Sequence, residues 1–204
     1  MEKIKAEEIV KATGGKLLKG DPQTAVTGIS IDTRTLSEGM AFFALKGEKT
    51  DGHAFLNDAA RAGSAALIIE KEDILLSDFS CPDSTAIIKV DNTEQALQEL
   101  AAWYLSLFDI RKIGITGSTG KTSTKEMLFY ILSEKYKTIR NQGNYNNLIG
   151  LPLSVFQVDK NTEAAIFEMG MDRLGEIHRL AEIVRPNAAI ITNIGVSHLE
   201  RLGS

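Results

Sequence analysis

Short apolar runs alternate with amphipathic segments along most of this chain, and that alternation predicts an α/β protein. Residues 1–15, MEKIKAEEIVKATGG, read as a short amphipathic helix closed by glycine. Strands are expected at 25–31 and 41–45, a helix over 54–62, and apolar strands at 65–69 and 86–90. Asn92 then caps a strongly periodic helix, with Gln95 placed to complete a capping box. Its buried face is expected to carry Ala96, Leu97, Leu100, Ala101, Tyr104, Leu107 and Phe108, and Trp103 and Tyr104 read as packing residues. Beyond it come a strand at 112–116, a helix at 122–132, a strand at 164–168, a helix at 175–184 that Pro186 ends, and a strand at 188–192. The unbroken apolar character of these later strands fits a parallel sheet covered on both faces. The change of character near Val90 divides the chain into a small α/β domain, 1–90, and a mostly parallel α/β domain, 91–204.

Composition narrows the class. With 43% hydrophobic and 25% charged residues in 204, the chain has the make-up of a globular protein able to bury a core without staples. The single cysteine, Cys81, excludes an internal disulfide and fits a reducing compartment; its polar surroundings at 77–84 read as those of a bystander more than of a catalytic thiol. A net charge of −4 argues against a nucleic-acid binder with a broad basic surface. The N-terminus lacks the apolar stretch of a signal peptide, and no run is long enough to span a bilayer, so a cytoplasmic location is expected.

The chemistry concentrates in Gly117-Ser118-Thr119-Gly120-Lys121-Thr122-Ser123, which follows the strand at 112–116 and opens the next helix. A glycine-rich turn there can aim backbone N–H groups at phosphate oxygens, with the positive end of the helix dipole behind them. Lys121 adds a mobile charge for the outer phosphates and Thr122 a hydroxyl suited to Mg²⁺. The usual loop has glycine six residues before the lysine, where this chain has Ile115. The plain alternative is a helix that merely starts after a glycine-rich turn. A nucleoside triphosphate is the expected ligand. In a parallel sheet, ligands bind beyond the carboxyl ends of the strands. One such end is Glu168, placed either to hold Mg²⁺ or to cap the turn at Gly170 or pair with a lysine. Another end leads through Thr192 and Asn193 to His198, which is a metal ligand or a histidine satisfying a hydrogen bond. Between them, Asn141 to Asn147 is rich in amides that serve turns or a ligand.

Taken together, several segments resemble the Mur ligases. These are Gly117 to Ser123, Asn144-x-Asn-Asn to Pro152, Glu168-Met-Gly170, Gly175-Glu-Ile177 and Thr192-Asn-Ile-Gly195 to His198-Leu-Glu200. In the first half Ile31-Asp-Thr-Arg34, Phe43 to Gly47 and Asp51-Gly-His53 agree as well. The resemblance implies ATP-dependent amide-bond formation in peptidoglycan precursor synthesis, with ATP and Mg²⁺. It implies a first domain that binds a UDP-muramoyl peptide and a second that is part of a P-loop ATPase domain. Lys121, Glu168 and His198 would be catalytic, and Thr122, Glu168 and His198 would serve the metal ions. Thr33, Arg34, Gly47, Glu48, Lys49, Thr50, Asn146 and Asn147 would contact substrate; Arg34 could equally form a surface ion pair. Thr33 stands where a serine is common, and its hydroxyl can make the same bond. The implied partners are UDP-N-acetylmuramoyl-tripeptide and D-alanyl-D-alanine, acting on a monomer with no nucleic acid or membrane. The text after the asparagines, Leu148-Ile149-Gly150, disfavours the sister branch that adds lysine or diaminopimelate to the muramoyl-dipeptide. A plain P-loop NTPase and a UDP-sugar-binding module without ligase activity are the other readings. Family members are longer, so the chain reads as a fragment ending inside the central domain, with an exposed sheet edge and little turnover of its own.

Overall fold

A computed structural model describes residues 1–47, 50–70 and 81–195. The chain divides into two compact units, Met1–Leu100 and Ala101–Ser204. Its elements run β1 (Ile4–Lys5), α1 (Ala6–Thr13), β2 (Lys16–Lys19), β3 (Ala25–Val26), β4 (Gly28–Ser30), β5 (Met40–Phe43), α2 (Leu56–Arg61), β6 (Ala66–Ile69), β7 (Ala86–Lys89) and α3 (Thr93–Ser106). Then follow β8 (Arg111–Thr116), α4 (Lys121–Ser133), β9 (Thr138–Arg140), α5 (Gly150–Val155), β10 (Ala164–Glu168), α6 (Glu176–Val184) and β11 (Ala188–Ile191). The expected α/β class is the observed one.

In the first unit, β4, β5, β6 and β7 pair in parallel and β2 joins β7 antiparallel, giving the order β2-β7-β6-β5-β4. The apolar strands β6 and β7 are buried because both faces are covered, and Phe42, Leu67, Ile69 and Ile87 pack with Leu56 and Ala59 of α2. The expected strand at 25–31 is broken in two. β3 pairs antiparallel with β1, while β4 joins the large sheet, so the chain changes sheets at Thr27. The helix expected at 54–62 starts as a 3-10 turn, Gly52–Phe55, before α2. Asp51 initiates that turn by accepting a hydrogen bond from the His53 N–H at 3.0 Å.

In the second unit four parallel strands stand in the order β11-β8-β10-β9. α4 packs on β10 and β9, and α6 packs on β8. β10 is buried throughout, as its Ala-Ala-Ile-Phe sequence requires. Among the described residues β11 stands at the edge of the sheet, and it lacks the coverage on both faces that its apolar sequence predicts: Ile191 is 62% exposed. The register pairs Glu168 with Ile115, so the end of β10 lies beside the end of β8, where the glycine-rich loop begins. Chain order also reverses across β8, since β9 and β10 lie to one side of it and β11 to the other. That is the position where open parallel sheets bind ligands.

The side chain of Asn92 caps α3 by accepting the Gln95 N–H at 2.7 Å. Ala96, Leu97, Leu100, Ala101 and Tyr104 are buried as the periodicity predicts. Leu107 is not. It is 53% exposed because the helix stops at Ser106, and the adjacent Leu105 is buried instead. Tyr104 fixes this end of the helix by donating its hydroxyl to the Val158 carbonyl at 2.7 Å and by packing against the Phe108 and Phe156 rings.

Candidate functional site

The second unit builds its site around one carboxylate. Glu168 is 3% exposed at the end of β10, and three side chains converge on it. The Thr122 hydroxyl donates to Oε2 at 3.0 Å, the Asn146 amide donates to Oε1 at 2.9 Å, and the Lys125 ammonium stands 3.3 Å from Oε2. Thr122 and Lys125 reach the same oxygen because a spacing of three puts them on one face of α4. Asn141, fully buried, locks the strand end from behind. Its side-chain Oδ1 accepts the Glu168 N–H at 2.8 Å, and its Nδ2 donates to the Glu168 and Tyr145 carbonyls at 3.0 and 2.7 Å.

The loop from Gly117 to Gly120 leads from the end of β8, beside Glu168, into the helix that carries Thr122. Gly117 has φ 133 and Gly120 has φ 80, conformations that favour glycine. A side chain at Gly117 would also collide with the Thr192 hydroxyl. Thr192 and Asn193, just past β11, tie the loop down. The Ser118 N–H donates to the Asn193 carbonyl at 3.2 Å, the Thr119 N–H donates to Asn193 Oδ1 at 2.8 Å, and Thr192 donates to the Thr119 carbonyl. Two loop amides are thus engaged by Asn193, and the N–H groups of Lys121, Thr122 and Ser123, ahead of the first helical bond from Thr124 to the Gly120 carbonyl at 3.0 Å, have no partner inside the helix. Lys121 curls back over the loop, donating to the Gly117 carbonyl at 2.6 Å. Ser123 follows on the exposed side of the first turn.

Hard oxygen donors from Thr122 and Glu168, close together at a helix N-terminus, are the donor set that suits Mg²⁺ with a phosphate ligand. The sequence leaves Glu168 either a metal ligand or a partner of a lysine, and the structure supplies the lysine, Lys125. Asn147 is also turned to local use: its side-chain Oδ1 accepts the N–H groups of Ile149 and Gly150 at 3.2 and 2.7 Å, just ahead of α5. His198 lies outside the described residues.

The first unit places its candidate residues on two turns. Ser30 and Asp32 shape the first: the Ser30 hydroxyl donates to the Asp32 carbonyl at 2.9 Å, and the Asp32 N–H donates to Ser30 Oγ at 3.1 Å. Thr33 and Arg34 sit at its tip. The Arg34 guanidinium grips Asp32, with Nη2 at 2.6 Å from Oδ2 and Nε at 2.9 Å from Oδ1. These hydrogen bonds hold the Asp32 carboxyl down to about 2 and raise Arg34. In the second turn the Gly47 N–H donates to the Thr50 carbonyl at 2.9 Å, and the Gly52 N–H donates to Leu45 at 2.8 Å. Glu48 and Lys49 fall outside the described residues.

The stem of this turn is anchored by a buried chain of polar groups. His53 is 8% exposed, with Nδ1 2.7 Å from Asp51 Oδ1, and its Nε2 accepts the Glu70 N–H at 3.0 Å. An N–H donor on Nε2 leaves the ring proton on Nδ1, aimed at Asp51. Glu70 in turn accepts from the Thr93 N–H and hydroxyl at 2.8 and 2.9 Å. Sequence reasoning did not single out Lys125, and it named Asn193 only as part of a strand end and Asn141 only as part of an amide-rich loop that serves turns or a ligand. Their signal was the placement of polar residues where the fold buries them or ends a strand.

Comparison with known proteins ties both units to one family. Residues 25–104 match "Mur ligase family, catalytic domain", and residues 115–204 match "Mur ligase middle domain". The UDP-N-acetylmuramoyl-tripeptide–D-alanyl-D-alanine ligase of Bacillus subtilis is 46% identical over 182 residues, covering 89% of this chain and 39% of that protein. A crystal structure of MurF from Acinetobacter baumannii superposes with a TM-score of 0.90 at 35% identity, over 100% of this chain and 44% of that one. MurF from Thermotoga maritima, solved in complex with ADP, gives a TM-score of 0.76 at 35% identity, over 85% of this chain and 39% of that one. The chain therefore spans about two fifths of the length of the relatives it matches.

Proposed function

The chain belongs to the Mur ligase family, and from that premise we propose that it forms the UDP-sugar-binding and ATP-binding parts of a ligase acting in the cytoplasm on peptidoglycan precursors. The proposed reaction joins D-alanyl-D-alanine to UDP-N-acetylmuramoyl-tripeptide. The terminal carboxylate of the tripeptide attacks the γ-phosphorus of ATP, ADP leaves, and an acyl phosphate forms. The amine of the dipeptide then attacks the acyl carbon, loses its proton, and expels phosphate through a tetrahedral intermediate.

The observation that carries this reading is the convergence of Thr122 and Asn146 on Glu168 beside a glycine-rich loop at the carboxyl ends of β8 and β10. Carboxylate and triphosphate repel each other, so the site must gather positive charge before they can meet. Lys121 exchanges the Gly117 carbonyl for phosphate oxygens, and the first-turn amides of α4 receive the phosphates. Thr122 and Glu168 would hold Mg²⁺, which when bound neutralises phosphate charge in the transfer; His198 is proposed for a second ion. Asn146 orients the Glu168 carboxylate from its other oxygen. In residues 1–90, Thr33, Arg34 and the turn from Gly47 through Glu48 and Lys49 to Thr50 are proposed to receive the uridine diphosphate sugar. The names of the relatives support the choice of substrates.

Calorimetric titration of the chain with UDP-N-acetylmuramoyl-tripeptide and, separately, with the dipeptide tests the reading. Tighter binding of the tripeptide is expected. Preference for the dipeptide would reassign the chain to the sister branch that adds the third residue.

A further inference from the structure

Lys125 is the unexplained charge of this site. It is 1% exposed, on the face of α4 that packs against β10, and its ammonium lies 3.3 Å from Glu168 Oε2 and 3.7 Å from Glu126 Oε1. Glu126 already has a partner, because Arg140 donates Nε to the same oxygen at 2.9 Å. The four groups thus form two opposite-charge pairs, Glu168 with Lys125 and Glu126 with Arg140, and their charges cancel. No group of three or more His, Cys, Asp or Glu side chains able to hold a metal occurs among the described residues. Affinity for a hard divalent cation grows with the number of uncompensated oxygen charges around it. Here the one buried carboxylate beside Thr122 is offset by a lysine that cannot swing into solvent.

Resting on the nucleotide site argued above, we propose that Lys125 is a positioning residue that makes divalent-cation binding at Glu168 conditional on the nucleotide. It does so in two ways. Its charge cancels that of Glu168, so a bare Mg²⁺ ion meets hydroxyl and carboxylate oxygens with no net negative charge behind them. Its contact, together with those of Thr122 and Asn146, fixes the carboxylate in one orientation. Only the phosphate oxygens supply the missing charge, so the cation is held as part of a nucleotide complex. A site of this kind stays free of metal until nucleotide is present, although free Mg²⁺ is abundant.

The test follows the amide resonances of Thr122 and Glu168 by NMR while Mg²⁺ alone is added to the wild-type chain, Lys125→Met and Lys125→Arg. In the wild type and Lys125→Arg the shifts should not saturate. Lys125→Met, which keeps the bulk and removes the charge, should bind bare Mg²⁺ about tenfold more tightly or better. Adding Glu168→Gln should abolish that gain. Wild-type affinity for bare Mg²⁺ in a Lys125→Met chain with native circular dichroism would overturn the proposal. If Lys125→Met does not fold, the wild type decides. Saturable binding of Mg²⁺ without nucleotide, lost in Glu168→Gln, overturns the proposal, and saturation only with ADP present supports it. Failure of ADP with Mg²⁺ to shift the loop at all would instead count against the nucleotide site itself.

Discussion

At the residue scale, Lys121 carries the strongest single expectation. Its ammonium is parked on the Gly117 carbonyl and is proposed to pass to phosphate, where a hydrogen bond to a charged group contributes about 1.5–3 kcal/mol. Lys121→Ala should therefore weaken ADP binding by roughly ten- to a hundredfold in calorimetry, while the circular dichroism spectrum stays unchanged. Asp32 allows a sharper test of the first unit. Its carboxyl is held at about 2 against an ordinary 3.8, chiefly by the Arg34 side chain and then by the Arg34 N–H. A depressed carboxyl favours the folded turn above pH 4, and that contribution is lost as pH falls through 2. A carbon-detected NMR titration should place the Asp32 midpoint near 2, and Arg34→Ala should return it towards 3.8. A wild-type midpoint near 3.8 would mean that the ion pair does not persist in solution, leaving Arg34 unengaged. The placement of Lys121, Thr122 and Glu168 at neighbouring strand ends was legible in the sequence, because strand, loop and helix follow in a fixed order. Lys125 was not, because a lysine in the first turns of a helix reads as solvated until the fold shows which face is buried.

At the scale of elements, the strand ends owe their shape to buried amides. Asn141 joins β9 to β10 by serving the Glu168 N–H, the Glu168 carbonyl and the Tyr145 carbonyl at once. Asn141→Leu removes three bonds and leaves a buried N–H unpaired, so a loss of about 3 kcal/mol in denaturant unfolding is expected. The same substitution should loosen Glu168 and weaken nucleotide binding in excess of the stability change. An effect on stability alone would show that Asn141 only builds the turn. The apolar strands β6, β7 and β10 were plain from sequence, since burial on both faces leaves little room for polar residues; β8, buried only at Gly114 and Ile115, was legible from the glycine-rich loop that follows it. β2, Lys-Leu-Leu-Lys, and β9, Thr-Ile-Arg, were missed, being short, polar and set at sheet edges where half of each strand meets water. Leu107 failed for a different reason. Periodicity locates a face but not the residue at which a helix stops, and α3 ends one position before it.

At the scale of the whole molecule, the division into Met1–Leu100 and Ala101–Ser204 gives each proposed ligand its own unit. The sequence places the change of character at Val90, before α3, whereas the compact units part inside that helix. A ligand that binds only the folded form stabilises it by about 2.7 kcal/mol at a hundredfold excess over Kd, and the gain reaches only those amides that open together with the site. Hydrogen exchange read by mass spectrometry therefore separates the two halves of the proposal. ADP with Mg²⁺ should slow exchange in the loop 117–123, at the end of β10 and in the turn after β11, and leave β4 to β6 unchanged. UDP-N-acetylmuramoyl-tripeptide should protect the turns at 32–35 and 47–53. Because His53 ties Asp51 to Glu70, and Glu70 ties the start of α3, that protection should extend along this buried chain to Thr93. Protection by the UDP-sugar confined to the second unit would overturn the assignment of the first unit to the sugar nucleotide. It would leave the phosphate loop and Glu168 as the site whose role the geometry supports.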